Sequence, residues 1–321
     1  MDNLTHSLTG WALGQTGLKR KSRKGLAALI LGANMPDIDV FFGWVQWVPL
    51  ATHRGFTHGL TGGVLLMPPL LAGLLWLLDR WQVKRGGAFK SGLAMHVGWL
   101  VALSYLGALS HPLLDWQNSY AVQLLSPLSD KWFHNDALFI IDVWIWAMLA
   151  LGIGLSKWLE RHGSARWNAP AIAAVAAVLA YVAANGVVSA RAKHAVLAAK
   201  ADAPPDAIFA TPPPFAFWRR ELVWRHDGTI AFGAYDPIGD RLSEGPAPPM
   251  PDGMTDPLAR QAMTATPDIV AFMRWSLLTV ARVERDGCRA RVTYGDARYG
   301  TSVTENRFRR DAMIPTGAPG C

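Results

Sequence analysis

The sequence has little cysteine and little charge. Only Cys288 and Cys321 are cysteines among its 321 residues, too few for a disulfide framework and outside any metal motif, although an oxidising compartment would let them pair. Charged residues make up 17% of the chain, against about 25% in ordinary soluble proteins. The chain begins MDNLTH, with no basic segment before an apolar core, so we expect no cleavable signal peptide. These shortages exclude a disulfide-rich secreted protein and disfavour a soluble enzyme.

Long apolar segments are present instead. A membrane-crossing helix needs about 20 apolar residues, and four segments have or approach that length: Leu60–Leu78, Leu93–Ser110, Leu138–Ser156 and Ala169–Ala190. Two shorter apolar segments, Leu4–Leu18 and Gly25–Met35, would cross only part of a bilayer at about 1.5 Å per residue. We expect these two to be short or re-entrant helices packed against the others.

Basic residues lie in three connectors between the apolar segments. Residues 19–24, 79–90 and 157–166 hold 12 of the 14 lysines and arginines that precede residue 191. Basic loops stay in the cytoplasm, so the pattern predicts a membrane protein with these connectors inside, even though Arg191 and Lys193 follow the last segment on the outer side. The opposite helix ends and the C-terminal part are then extracytoplasmic.

The composition changes near residue 200, where a proline-rich stretch begins. We predict a membrane-embedded helical domain over residues 1–195, a linker over 196–214 and a small soluble β-rich domain over 215–321. Two strands of that domain are expected to join at an Asp286–Gly287 turn. Its acidic and basic residues nearly balance, so no nucleic-acid binding is expected. The predicted fold class is therefore mainly α, a multi-pass transmembrane bundle with a β-rich C-terminal domain.

Histidine and aspartate cluster at the predicted outer helix ends. Seven such residues are candidate metal ligands: His6, Asp37, Asp39, His53, His58, His111 and Asp115. A single histidine on an apolar helix is more often a hydrogen-bonded core residue. Ionisable groups at a membrane edge are costly, however, and seven of them together indicate function.

The spacing of these residues suggests how they meet. His111 and Asp115 are four apart and share one helix face. Pro36 disfavours helical geometry at Met35, so Asp37 and Asp39 should follow in a turn or an extended piece. His53 and His58 converge only if the first lies in a loop and the second in the first turn of a helix, with Gly55 permitting the bend and Thr57 as a possible cap.

This ligand set exceeds one tetrahedral site and suffices for two metal ions. Histidine and aspartate ligands without cysteine suit zinc first, with manganese or iron as alternatives. Arg54 lies between two candidate ligands and could clamp a phosphate or carboxylate, or bind lipid headgroups. Among His134, Asp136 and Asp142, the two aspartates are expected to orient ligating histidines and so to assist catalysis.

The motifs THSLTG, MPDID, HRGFTHG and SHPLLDWQNSY resemble a known family, the YdjM-like predicted membrane-bound metal-dependent hydrolases. The resemblance covers roughly residues 1–160. That family is grouped with zinc phospholipase C and P1-type nucleases, so the resemblance implies a phosphoester substrate. It also implies the same seven ligands, by analogy.

The sequence thus predicts a membrane metal-dependent hydrolase, with a phospholipid or another lipid-linked phosphoester as substrate. Two alternatives stay open. A metal-dependent amidase or peptidase is disfavoured because no HExxH motif occurs and no glutamate lies near the cluster. A metal-ion transporter would need polar residues continuing towards the inner side, and the segments after residue 60 carry almost none besides His96.

Overall fold

The computed structural model describes residues 1–41, 53–245, 247–303, 306 and 308–317. The chain divides into two compact units. In the described chain, the first comprises residues 1–41 and 53–186, and the second comprises residues from 187 onwards. The helical bundle and the β-rich part are described in turn.

Within the described residues, four helices are long and apolar enough to cross a membrane, as the sequence predicts: Leu60–Lys84, Val97–Asp115, Val143–Arg161 and Ala169–Ala199. The first begins as a π-helix, Leu60–Leu66, and continues as helix α3, Met67–Lys84. The others are α4 (Val97–Asp115), α5 (Val143–Arg161) and α6 (Ala169–Ala199). Each ends several residues beyond the apolar segment that predicted it.

Two short helices precede these four, in the two short apolar segments of the sequence. Helix α1 spans Asn3–Gln15 and helix α2 spans Gly25–Asn34, with a 3₁₀ turn, Leu18–Arg20, between them. Asp2 caps α1 by accepting hydrogen bonds from the backbone N–H groups of Leu4 and Thr5, which otherwise lack partners in a first turn.

The prediction that Pro36 drives Met35 out of the helical region is wrong. Met35 is right-handed helical, with φ −64° and ψ −34°, and a 3₁₀ helix, Met35–Phe41, follows α2 directly. The proline effect is a preference. Proline itself fits an early helical position, because its φ is already helical and its missing N–H has no partner to lose there. Asp37 and Asp39 therefore project from a 3₁₀ helix.

Glycine lets α2 pack closely against its two neighbours. A Cβ at Gly10 of α1 or at Gly107 of α4 would lie 2.6 Å from the Leu29 carbonyl oxygen of α2. A Cβ at Gly32 of α2 would lie 2.9 Å from the Ser104 carbonyl oxygen of α4. These backbones are in contact, so the end of α2 is fixed against the last turns of α4, where His111 lies.

The second unit is built on two antiparallel sheets, as expected for a β-rich domain. The first sheet contains β1 (Ala207–Thr211), β2 (Arg220–His226), β3 (Thr229–Asp236) and β4 (Arg241–Glu244) in that order, with β5 (Met250–Pro251) also paired to β3. Strand β1 and the end of α6 fall within the predicted linker, residues 196–214. Two short helices, α7 (Pro257–Ala262) and α8 (Pro267–Trp275), lead to the second sheet.

The second sheet has the order β6 (Thr279–Asp286), β7 (Arg289–Asp296) and β8 (Arg310–Pro315). Asp286 pairs with Arg289 across the turn that Asp286–Gly287 predicts, and Gly287 takes φ +55°, a conformation that favours glycine. Cys288 is disulfide-bonded, and Cys321 lies outside the described residues.

Helix α6 extends into the core of the first sheet. Its last turns place Ala192 and Val196 in one buried cluster with side chains of the sheet: Ala210, Leu222, Trp224 and Tyr235. The apolar segment of this helix and its sheet-packed segment are thus one continuous element.

Candidate metal centre

Four elements bring their ends together at the site. His6 lies in the first turn of α1, Asp37 and Asp39 in the 3₁₀ helix after α2, and His58 in the turn just before the π-helix. His111 and Asp115 occupy the last turns of α4. Successive helices of the bundle alternate in direction. The start of α1, the end of α2, the start of the π-helix and the end of α4 therefore meet at one place.

Four ligand atoms form a close group at the centre. The Nε2 atoms of His58 and His111 lie 3.0 Å apart. Asp37 Oδ1 lies 3.3 Å from the first and 3.2 Å from the second. Asp115 Oδ2 lies 3.4 Å from each. All four residues are buried.

The spacing of these atoms fits a tetrahedral metal ion. Zinc binds nitrogen and oxygen ligands at about 2.0–2.1 Å, and a regular tetrahedron of such ligands has edges of about 3.3–3.4 Å. The five distances above run from 3.0 to 3.4 Å. Asp37 Oδ1 is also buried and receives no hydrogen bond within the described part of the chain, as expected for an oxygen that faces a cation.

The protonation of His111 leaves its Nε2 atom available as a ligand. Its Nδ1 atom lies 2.6 Å from the Ala33 carbonyl oxygen. Only a protonated nitrogen can face a carbonyl oxygen, so Nδ1 donates the hydrogen bond and the neutral ring keeps its lone pair on Nε2. A backbone carbonyl in this role commonly orients a metal-bound histidine.

His58 is oriented in the same way through Thr57. The Thr57 hydroxyl donates to Asp39 Oδ2 at 2.7 Å and lies 3.0 Å from His58 Nδ1. Because its proton points to Asp39, the hydroxyl accepts from His58 Nδ1–H. Burial lowers the pKa of His58 to about 3, so the ring is neutral at physiological pH and carries a lone pair on Nε2. Two Nε2 lone pairs 3.0 Å apart repel each other unless a cation lies between them.

The chain bends at Gly55 before His58, as predicted. The positive φ of the residue before it, +66° at Arg54, was not predicted. The expected cap is wrong, because Gly59 is the residue that precedes the π-helix and no side chain caps it. The Thr57 hydroxyl is engaged with Asp39 instead.

A second group of ligand atoms shares Asp37 with the first. Asp37, Asp39 and His53 also offer atoms that lie within 4.8 Å of one another. His53 Nδ1 lies 3.0 Å from Asp39 Oδ1, and His53 Nε2 lies 3.9 Å from Asp37 Oδ1. This group is less buried than the first.

Asp39 of this group is held ionised. Burial opposes the charge of Asp39, and the hydrogen bonds from His53 and Thr57 lower its pKa in spite of that burial. A carboxylate in this state is the form that binds metal.

His6 borders the four-atom group without joining it. Its ring stacks on His111 with 3.6 Å between ring centroids, and its Nε2 lies 3.4 Å from Asp115 Oδ1. The Met1 amino group contacts the same oxygen, and burial lowers the pKa of that amine. His6 is thus beside the centre, but its nitrogens belong to neither of the two groups of ligand atoms.

Arg54 is buried at the centre, with 2% of its surface exposed. Its Nε lies 3.0 Å from Asp115 Oδ2, and its Nη1 donates to Asn118 Oδ1 at 2.9 Å. The guanidinium lies 4.7 Å from the centre of the Tyr120 ring. Sequence reasoning did not identify Asn118 or Tyr120, although both belong to the motif SHPLLDWQNSY.

The two aspartates expected to orient ligands have other contacts. Asp136 Oδ1 lies 2.9 Å from His134 Nδ1. Asp142 caps α5 by accepting from the backbone N–H groups of Trp144 and Ile145, and it accepts from the Tyr181 hydroxyl at 3.0 Å. Among the described residues, no hydrogen bond joins Asp142 to a predicted ligand. The residues that orient ligands here are Thr57 and Ala33, which the sequence analysis did not assign to this role.

The fold and the centre together define a class, a multi-helix membrane protein with a buried histidine–aspartate cluster that could hold a metal. The model of one family, the YdjM inner membrane protein, matches residues 1–192, and the chain belongs to that family. The matched range contains every residue of the centre and ends within α6. No curated protein and no solved structure matches the chain.

Proposed function

We propose that this protein is a metal-dependent hydrolase that cleaves a phosphoester, with a phospholipid or another lipid-linked phosphate as its substrate. The observation that carries the proposal is the buried group of ligand atoms from Asp37, His58, His111 and Asp115, whose spacing suits one metal ion. Two imidazoles and two carboxylates without a thiolate suit zinc. The second group, which shares Asp37, is suited to a second ion.

A divalent metal bound here would lower the pKa of a bound water and polarise the scissile group. The residues of the chain supply the rest of the site. Thr57 and the Ala33 carbonyl fix the rings of His58 and His111. Arg54 holds Asp115 in place, and its planar fork is suited to a phosphate oxygen as well.

Charge favours an anionic substrate over a neutral amide. Two divalent ions and Arg54 would together outweigh the three carboxylates of Asp37, Asp39 and Asp115, so the loaded site would keep a net positive charge. Electrostatic attraction is stronger where water is excluded, so a phosphodiester anion is the better match. An amide carbonyl would not neutralise this charge.

Apolar residues next to the ligands fit a lipid substrate. Leu4, Phe56, Leu113 and Trp116 are exposed, and each lies within three residues of one of the seven predicted ligands. Large exposed apolar side chains at a membrane edge face lipid. In this proposal the substrate approaches from the bilayer.

The test uses the full chain in lipid nanodiscs. We expect hydrolysis of phospholipid or of a chromogenic phosphodiester, lost on chelation and restored by zinc. Asp37→Asn should abolish it, while His96→Ala, which removes an exposed histidine remote from the site, should not. If the protein cleaves amides and leaves phosphoesters intact, the proposal is wrong and the alternative of a metal-dependent amidase is correct. Metal uptake by proteoliposomes without any hydrolysis would replace it with the transporter.

A further inference from the structure

We propose that the second unit touches the lipid headgroup region through two apolar loops, residues 212–219 and 237–240, at the end of its first sheet that is nearest the apolar part of α6. These two segments are called the membrane-facing loops below. This inference concerns the β-rich unit and does not rest on the proposed hydrolase activity.

Helix α6 sets the level of the bilayer for this unit. From Ala169 to Ala190 it contains no charged residue, and Arg191 is the first. Twenty-two helical residues span about 33 Å, close to the roughly 30 Å of a hydrocarbon core. Val187 is 60% exposed, as expected of a side chain that faces lipid. The hydrocarbon boundary therefore lies near Arg191.

Three contacts place one end of the first sheet at that level. The Ser189 hydroxyl lies 3.3 Å from the Ala210 carbonyl oxygen near the end of β1. Arg220, the first residue of β2, donates from Nε to the same hydroxyl at 2.8 Å. Arg191 pairs with Asp240, between β3 and β4, at 3.3 Å.

Neighbouring strands of the sheet are antiparallel, so successive loops lie alternately at the end near Ser189 and at the opposite, far end. Helix α6 continues to Ala199, about 15 Å beyond Ser189, and β1 returns over a similar length. The loop after β1 and the turn after β3 are therefore near Ser189 and Arg191. The turn at Asp227 and Gly228, after β2, is at the far end.

The membrane-facing loops carry exposed apolar side chains. Ile238 is 88% exposed, Phe215 67% and Trp218 43%. Arg219 beside Trp218 is also exposed. This composition, two aromatic residues with a neighbouring arginine, is typical of a segment anchored at the level of the lipid headgroups. The aromatic rings enter the membrane interface, and the guanidinium binds lipid phosphate. The far-end turn presents Asp227 and Thr229 instead.

The experiment compares three labelled variants of the full chain in liposomes of phosphatidylglycerol and phosphatidylethanolamine. Phe215→Cys, Ile238→Cys and Thr229→Cys each receive a polarity-sensitive fluorophore, and Thr229, exposed at the far end, is the matched control. Cys288 is disulfide-bonded, and unlabelled wild type supplies the blank. Only variants that elute with the wild type are compared.

We expect labels at 215 and 238 to show blue-shifted emission, quenching by doxyl-labelled lipid and protection from iodide. The label at 229 should show the reverse. The proposal is overturned if the 238 label, on a hairpin turn that tolerates substitution, is quenched by iodide as strongly as the 229 label. It is also overturned if the label at 215, in a variant that folds, is quenched by iodide as strongly as the label at 229.

Discussion

Thr57 is the residue whose substitution tests the histidine geometry most directly. Its hydroxyl accepts from His58 Nδ1–H while it donates to Asp39. Thr57→Val keeps the shape and removes both hydrogen bonds, so we expect metal affinity to fall about 10-fold or more, as for other residues that orient metal ligands. Thr57→Ser keeps the hydroxyl and should bind nearly as the wild type. Competition with a chromogenic zinc chelator measures both, and equal affinity in the two variants would refute the role of the hydroxyl.

Substitution of Arg54 tests which of two roles this residue has at the centre, holding Asp115 in place or stabilising the substrate. Lysine keeps the charge but cannot reach Asp115 and Asn118 together with one planar group. For Arg54→Lys we expect metal to stay bound and turnover to fall on the order of 100-fold, as when one stabilising donor is removed from an active site. Arg80→Lys, on the exposed face of α3, is the matched control. Loss of metal together with turnover would show that Arg54 only holds Asp115.

Single residues also show where sequence reasoning ended. Helical spacing was enough to pair His111 with Asp115, because i and i+4 share a face. The Ala33 carbonyl that orients His111 could not be identified, since any residue type supplies a carbonyl and only the packing of α2 on α4 chooses this one. The positive φ of Arg54 was missed for a related reason. A positive φ at a residue other than glycine is decided by tertiary contacts.

At the scale of helices, contact between α2 and α4 positions the centre. Gly107 lies one turn before His111, and a Cβ there would meet the Leu29 carbonyl oxygen at 2.6 Å. Gly107→Val should separate the two backbones, weaken the bond from His111 to Ala33 and cost about 1–3 kcal/mol in stability. Metal should be lost although every ligand is intact. Gly98→Val lies in the same helix with nothing within 4 Å of the new Cβ, so it should keep the metal.

Elemental analysis measures the metal content of the Gly107→Val and Gly98→Val variants, and thermal unfolding measures their stability. Full metal occupancy in Gly107→Val would show that this helix contact does not position the centre.

The helices themselves were predictable from apolar length, because a membrane-crossing segment needs a fixed number of apolar residues. The 3₁₀ helix at Met35–Phe41 was not, because the backbone at a pre-proline residue follows a preference that packing can override.

For the whole molecule, the orientation in the membrane is a prediction. The basic connectors should be cytoplasmic, and the second unit, with the disulfide-bonded Cys288, should face an oxidising compartment. In intact cells, an impermeant thiol reagent should label Asp227→Cys and should not label Lys84→Cys until the membrane is opened. The opposite pattern would invert the orientation.

The central claim is that Asp37 is shared by two adjacent groups of metal ligands. Its Oδ1 atom lies 3.3 Å from His58, 3.2 Å from His111 and 3.9 Å from His53, whereas Asp39 belongs to the second group alone. Zinc content per chain, measured by elemental analysis after loading and washing, separates the contributions of the two aspartates. The account predicts two ions in the wild type and in His96→Ala, one in Asp39→Asn and none in Asp37→Asn. Full occupancy in Asp37→Asn, or a wild type that retains no metal, would contradict it.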